Sequence, residues 1–568
     1  MSAGKTGLKA EDRKAIGITL GNSNSSIAYL KEDNVEVIAN EDGDRQIPTV
    51  LSYVDGDEYY GQQAKAFLVR QPKQTVAYFR DFLGKEFKDI DPTHNHASVH
   101  PEDANGAVSF TLKEKAEEDA APSTLSVSEI TSRYLRRLVT AASDYRGEKV
   151  TSAVITVPTN FSEKQKSALV EAAAAADLEV LQMISEPVSA ILAYNAKPEV
   201  ANVDKIVVVA DLGGTRSDVA VVAQRGGLYT ILATEHDYEF AGYALDKVLI
   251  DHFAKEFIKK HSIDPREDAR SLAKLKLEAE QTKKALSLGN NASFSIESLA
   301  QGIDFQSTIN RLRYETVGRT VLGGFTRLVE SVIKKAGLDP LDVDEVILSG
   351  GTSHTPRIAH NLRAIFPEST SILAPSTSAN AINPSELAVR GAALQASLIE
   401  GREAEEIEQA THPAVTTVPH LTNAIGVVSL GTDGEEIFTP IIAPETSVPA
   451  RRTVRFDAPQ QGGDVLIKIA EGNTHIKVIK PEPKVKSTNA TVEDAKDSDD
   501  DSEDEDSEEE EEEKREKVWK VGSTLAEAAV RGTKSGAKVE VTIIIGADLS
   551  VKVECREVGG KGGVRGTI

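Results

Sequence analysis

Asp211 and Asp218 bracket a turn of small residues, Gly213-Gly214-Thr215-Arg216, in the stretch VADLGGTRSDVAVV that begins at Val209. Phosphate chemistry asks for these residue types. Magnesium takes hard oxygen ligands, directly or through water. An attacking water must be oriented, and the charge developing on a transferred phosphoryl group neutralised. Asp211 and Asp218 suit those tasks, although an Asp beside a turn equally caps backbone. A related stretch, GITLGNSNSSIAYL, begins at Gly17. Aligning Leu20 with Leu212 sets Gly21, Asn22 and Ser23 on the second turn and Ile27-Ala28 on Val219-Ala220. Glycines let backbone N–H groups approach an anion, and hydroxyl side chains add donors. Where the second copy has Asp211, the first has Thr19, a neutral hydroxyl. Arg216 brings a bulky cation into the second turn; it either pairs with phosphate in place of a metal or points into solvent. Each turn alone reads as a plain β-turn; together, facing across a cleft, they suit the phosphates of one nucleotide.

The elements that must position these turns alternate in type. From Ala15 to about Glu400, short β-rich runs are separated by helical ones, which means an α/β architecture. SAVITVP is a buried strand stopped by Pro158. SEKQKSALVEAAAAADL is a helix capped by Ser162, and SVSEITSRYLRRLVTAASDY a helix with Ser128 as its cap. DEVILSGGTSHTPRIAHNLRAIF reads as strand, Gly350-Gly351 turn, helix. The spacing of the two hairpins is too long for a solenoid repeat and predicts two similar lobes.

The expected organisation is an N-terminal tail 1–14, an α/β domain 15–400, a charged linker 401–417 and a β domain 418–568. The last rests on short strands such as FTPIIAP, TVRFDAP, DVLIKIAEG, KVEVTIII and LSVKVECREV, divided by Gly, Pro and Asp turns. An acidic insert, 491–517, interrupts it and has too little apolar surface to order itself. Ser498, Ser502 and Ser507 each precede an acidic residue by three positions and suit an acid-directed kinase.

Composition sets limits. The net charge is −24, but sixteen acidic residues and one Lys fall between Glu493 and Glu513. The acidity is therefore local. It argues against a general nucleic-acid-binding surface, while a local basic patch would be invisible in the sum. One cysteine, Cys555, excludes an internal disulfide framework and fits a reducing compartment. No apolar run is long enough to span a bilayer, and the polar N-terminus lacks a secretory signal.

The runs SAVITVPTNFSEKQK, SEPVSAILAYN, VVADLGGTRSDVAVV, EAEQTKKALS, GIDFQSTINRLRYE, VILSGGTSHTPRI and AINPSELAVRGAALQA resemble, in order and spacing, the nucleotide-binding domain of Hsp70 chaperones. The resemblance implies an actin-like fold with ATP in its cleft. Gly21, Asn22 and Ser23 then match the first phosphate loop, and Gly213, Gly214, Thr215 and Arg216 the second. Glu280, Lys283, Lys284 and Ser287 match the adenosine-holding helix. Gly350, Gly351, Thr352 and His354, with Ser385 nearby, match the opposite adenosine loop. Pro158 matches the proline that relays nucleotide state, with Glu186 in the same lobe. The region from FTPIIAP onward resembles the family's substrate-binding β-sandwich, with the helical lid expected to be missing.

The departures fall in the catalytic set. Thr19 replaces an Asp. Arg80 replaces the catalytic Lys, keeping the charge but not the compact ammonium geometry. Asp211 and Asp218 remain, so the catalytic positions Thr19, Arg80, Asp211 and Asp218 form a degenerate set with weakened Mg²⁺ ligands. Ala241-Gly242-Tyr243-Ala244 stands where the family has two carboxylates, and His354 replaces an Arg facing adenine. Within the family the chain is most similar to the atypical Hsp70s of the fungal ribosome-associated complex. That implies a stable J-domain partner of the zuotin type, a cytoplasmic place on the ribosome, and help to a second, ribosome-bound Hsp70 acting on nascent chains, with direct and indirect contact between those chains and this one both open. No membrane and no sequence-specific nucleic acid is expected as partner. The alternative is an active Hsp70 ATPase that binds unfolded polypeptide itself. A sugar kinase on the same superfamily fold is disfavoured by the β tail.

Overall fold

The computed structural model describes residues 10–90, 98–115, 121–196, 203–411, 419–430, 434–479, 514–560 and 562–567. The chain divides into two compact units, Met1–Val418 and Pro419–Ile568.

The first unit holds two mixed sheets of the same topology. One runs Glu179–Ser185, Ser152–Val157, Ala15–Thr19, Asn24–Lys31, Asn34–Ile38; the other runs Ser371–Leu373, Glu345–Ser349, Lys205–Leu212, Ser217–Arg225, Leu228–Asp237. In each, the first three strands are parallel and the last three antiparallel. This is the predicted pair of lobes, and the register makes the equivalence exact at the residue level. Thr19 pairs with Ser26 across the first hairpin, and Asp211 pairs with Asp218 across the second. Where one lobe presents two carboxylates, the other presents two hydroxyls.

The central strands are buried on both faces, which is why KIVVVADL and SAVITV read as unbroken apolar runs. Each lobe has its own core, one around Phe79, Tyr134 and Leu138, the other around Phe253, Phe294 and Phe325. Helices Glu186–Tyr194 and Leu387–Ile399 pack against one another, with the Ser189 hydroxyl donating to the Ala388 carbonyl at 2.6 Å. The first of these opens at the end of strand Glu179–Ser185, so Glu186 stands at the mouth of the sheet.

Four expectations need correction. Arg13 is not tail: it is buried, bonds the Glu179 carboxylate at 3.0 and 3.1 Å, and bonds the Arg402 carbonyl at 2.5 Å. The linker is helical over Ala404–Thr411 because Ile407 buries against the cluster around Ala15 and Val154. The helix Val127–Arg146 is capped by Ser126, whose hydroxyl accepts from the Glu129 N–H, and not by Ser128. The acidic insert is shorter at its far end, since Lys514 begins strand Lys514–Thr533. The acidic run itself, with Ser498, Ser502 and Ser507, lies outside the described residues, as do residues 412–417 of the linker. Ser162 caps its helix as expected, in a capping box with Gln165.

The second unit is two four-stranded antiparallel sheets: Glu436–Ile442, Ala424–Leu430, Gly463–Ile479, Lys514–Thr533, and Ala450–Asp457, Lys538–Ile545, Val551–Glu557, Gly563–Thr567. Ile467, Ile469, Val541, Ile543 and Val553 fill the space between them. Its described elements are all strands. Among the described residues no helix is long and apolar enough to cross a membrane.

Candidate nucleotide site

The two hairpins meet at the floor of a cleft of about 1200 Å³ in the first unit. Thr19, Gly21, Asn22, Ser23, Arg80, Glu186, Asp211, Gly213, Gly214, Thr215, Arg216 and Asp218 line one end, and Glu280, Lys283, Lys284, Ser287, Gly350, Gly351, Thr352, His354 and Ser385 the remainder. Residues far apart in sequence are thus brought together as their types suggested. Pro158 does not line the cleft; it is buried beside it, its carbonyl accepting from the Phe161 N–H at 3.2 Å.

The hairpins touch directly. Asn22 Nδ2 donates to Thr215 Oγ1 at 3.0 Å. A Cβ on Gly214 would stand 2.4 Å from Ser23 Oγ, so any larger residue here would force the Ser23 side chain to move. Thr352 Oγ1 ties the third loop in, donating to the Gly213 carbonyl at 2.9 Å. Gly350 holds a left-handed φ of 81°, and a Cβ there would lie 2.4 Å from the Leu212 carbonyl oxygen.

Behind the loops lies a buried charge network. Arg80 is 2.7 Å from Asp81 and 3.2 Å from Glu186, with Phe161 under its guanidinium at 5.8 Å. Arg216 does not project into solvent: it borders the cleft with its guanidinium folded back onto the protein. It is 4% exposed, donates through Nε to Asp218 Oδ2 at 2.7 Å and through its second arm to Asp218 Oδ1, and reaches Tyr238 Oη and the Asn160 side chain. Two guanidinium groups therefore face four carboxylates, those of Asp81, Glu186, Asp211 and Asp218. Burial pushes Glu186 up to about 8, Arg80 opposing and Asp211 and Asp218 reinforcing. Burial and then Asp218 push Asp211 up to about 6. Asp81 goes the other way: burial is outweighed by Arg80 and Arg216, and its carboxyl lies below the usual range. Arg80 is thus neutralised mainly by Asp81, and Glu186 is the group that carries a proton near neutral pH.

At the other end, Lys65 on helix Gly61–Arg70 crosses the cleft to Glu280 on helix Ala269–Leu288 at 2.6 Å. Burial would raise Glu280, but Lys65, Lys284 and Lys283 hold it at about 2. Lys283 also pairs with Asp246 at 2.8 Å. His354 Nε2 lies 3.1 Å from Ser385 Oγ, and burial lowers the imidazole. Asp81, Asn160, Tyr238, Lys65 and Asp246 were not singled out by sequence. Asp81 and Lys65 lie in stretches without a signal of their own, whereas Asn160 falls in SAVITVPTNFSEKQK, and Tyr238 and Asp246 open and close the run around the altered Ala241–Ala244.

The residues fit an anionic nucleotide. Asn22 Oδ1 is buried with no hydrogen-bond partner among the described residues. The N–H groups of Gly214 and Thr215 donate to no described residue. Among the described residues no group of three or more His, Cys, Asp or Glu is set to hold a metal ion.

The family model for Hsp70 protein matches residues 15–481. The chain is 44% identical over 554 residues to ribosome-associated complex subunit SSZ1 of Saccharomyces cerevisiae, covering 97% of this chain and 99% of that protein. It is 45% identical over 477 residues to a heat shock protein 70 homolog of Schizosaccharomyces pombe, covering 84% of this chain and 83% of that one. It is 31% identical over 462 residues to heat shock 70 kDa protein 2 of Paracoccidioides lutzii, covering 81% and 67%.

Proposed function

The chain belongs to the Hsp70 family, and on that premise we propose that it is the ATP-binding, hydrolysis-impaired Hsp70-type subunit of a ribosome-associated complex. The end-to-end likeness to the budding-yeast subunit supports the assembly. In that assembly the chain pairs stably with a J-domain protein of the zuotin type. It works in the cytoplasm on the ribosome and assists a second, ribosome-bound Hsp70 in folding nascent chains.

The impaired hydrolysis is carried by one observation: Arg216, in the second phosphate loop, is spent on Asp218. A carboxylate bound bidentate by a buried guanidinium has both oxygens engaged and its charge neutralised, which makes it a weaker base and a poorer metal ligand than a free one. Thr19 and Ser26 supply only hydroxyls on the opposite hairpin. Binding keeps its parts: the loop at Gly21–Ser23 and the N–H groups of Gly214 and Thr215 hold phosphates, Glu280, Lys283, Lys284 and Ser287 face the nucleoside from one side, and Gly350–His354 with Ser385 from the other. ATP, with any Mg²⁺ it brings, supplies the reactive phosphates; the chain orients them without completing the catalytic set. Glu186, leading from the cleft into helix Glu186–Tyr194, and Pro158 beside it relay what nucleotide state remains.

A nucleotide-binding titration beside a single-turnover ATPase assay tests the binding half: tight binding with negligible phosphate release supports it. Robust turnover would favour an active ATPase chaperone, the reading that the cation Arg80 and the carboxylate Asp211 keep open. Gentle purification tests the other half, with a J-domain protein and ribosomes expected together; neither appearing would sink it.

A further inference from the structure

The outer face of the second unit's sheet Ala450–Asp457, Lys538–Ile545, Val551–Glu557, Gly563–Thr567 carries a pattern that the overall charge conceals. Strand register fixes which residues share it. Arg451 is level with Ile544, which is level with Lys552. Four residues along, Arg455 is level with Glu540, which is level with Arg556. Side chains two strands apart stand roughly 10 Å from one another, and those four residues along a strand roughly 13 Å. Arg451, Arg455, Arg556 and Lys552 therefore mark the corners of a cationic rectangle. Its middle row is Thr453, Thr542 and Glu554, the two hydroxyls 2.8 Å apart. Arg565 extends that row at the sheet edge, 2.6 Å from Glu554.

The acid at the centre of one row is sunk and its cations are raised, while at the end of the face the exposed Asp457 is paired with Lys538 at 3.5 Å. The Glu540 side chain is 8% exposed, beneath Arg455 at 61% and Arg556 at 66%. One carboxylate thus seats two guanidinium groups and neutralises only one. Arg451 and Lys552 are exposed. A chain of net charge −24 thus presents, on one flat face, a local excess of positive charge.

We propose that this face binds the phosphate backbone of structured RNA without reading its sequence. Charge complementarity selects an anion, and arginine's planar fork matches phosphate oxygens. No outward-facing residue of these strands is aromatic, so there is no platform on which single-stranded bases would stack. The one large apolar residue among the outward positions, Ile544, does not make a groove that would seat peptide side chains. The contact needs neither nucleotide nor the hydrolysis reading, and it stands or falls apart from them.

The test is a fluorescence anisotropy titration of the full chain with a fluorescein-labelled RNA duplex of arbitrary sequence, about 20 base pairs long, at stepped KCl. The wild-type chain is expected to bind at low salt and to weaken steeply as salt rises. Arg451→Ser combined with Lys552→Ser leaves both partners of Glu540 in place. It should cost at least about tenfold in affinity and make the salt slope shallower by about two. Arg455→Lys with Arg556→Lys, which keeps the charge, should cost less, and a circular dichroism melt identical to wild type guards against misfolding. Absence of salt-dependent binding by the wild-type chain, an unchanged affinity in the double Ser variant, or tighter binding of a poly-glutamate peptide than of RNA would each overturn the assignment.

Discussion

Arg216, at the tip of the second hairpin, grips Asp218 two residues further along the chain, its Nε 2.7 Å from one carboxylate oxygen and its second arm on the other. The pair sits opposite Asp211, to which Asp218 is register partner. A loop suited to holding phosphate has instead closed an internal ion pair, with the guanidinium side almost wholly buried.

That pair predicts how hydrolysis could be recovered. Thr19→Asp alone adds a carboxylate to a network already short of positive charge and should leave phosphate release unchanged. Thr19→Asp with Arg216→Thr frees Asp218 and restores a hydroxyl to the loop. Single-turnover release should then rise at least about tenfold, which is 1.4 kcal/mol or more of barrier. Equal rates in the two variants would show that Arg216 is not what blocks turnover.

Lys65 and Glu280 latch the mouth of the cleft at 2.6 Å, with side chains 11% and 21% exposed. Removing a partly buried bridge of this kind costs about 1–2 kcal/mol, a factor of about 5–30. Lys65→Ala should speed release of a fluorescent ATP analogue by that factor in stopped flow. A rate unchanged from wild type would mean that the latch does not gate exit.

The fold holds Glu186 protonated up to about 8, well above an unfolded Glu. Between the unfolded value and 8 the folded chain binds more protons. This contribution to stability is therefore full on the acid side and is lost as pH rises through 8. Asp211, raised to about 6, acts in the same direction at lower pH. Glu280, held at about 2, acts oppositely and outside this window. Melting of the first unit followed from about pH 5.5 to about 8.5 should show a steeper fall with pH in wild type than in Glu186→Gln. Parallel slopes would refute the buried proton.

Gly350 combines a left-handed φ of 81° with a Cβ position 2.5 Å from Asp211 Oδ1. Gly350→Ala should cost about 1–3 kcal/mol in stability and weaken ATP binding about tenfold or more. Gly147, at φ 69° with open space around it, is the control: Gly147→Ala carries strain alone and should leave affinity intact. Similar affinity losses in both would show that crowding at the cleft is not the cause.

The amino-acid sequence by itself determined the two hairpins, the buried strand runs, the β domain and the family. Each of these is written in local signals: glycine turns, apolar runs, a capping Ser162, and motifs in a fixed order. It also determined that Thr19, Arg80 and Arg216 depart from the expected chemistry, because residue identity is all that such a comparison needs. What Arg216 does with its charge was open, since solvent and phosphate were equal destinations until Asp218, Asn160 and Tyr238 closed around it. The same holds for Lys65 meeting Glu280, for Arg13 and Ile407 drawing the presumed tail and linker into the fold, and for the cationic face hidden within an acidic chain. Ion pairs, burial and proton affinity depend on which groups share a low-dielectric space, and only the tertiary structure decides that.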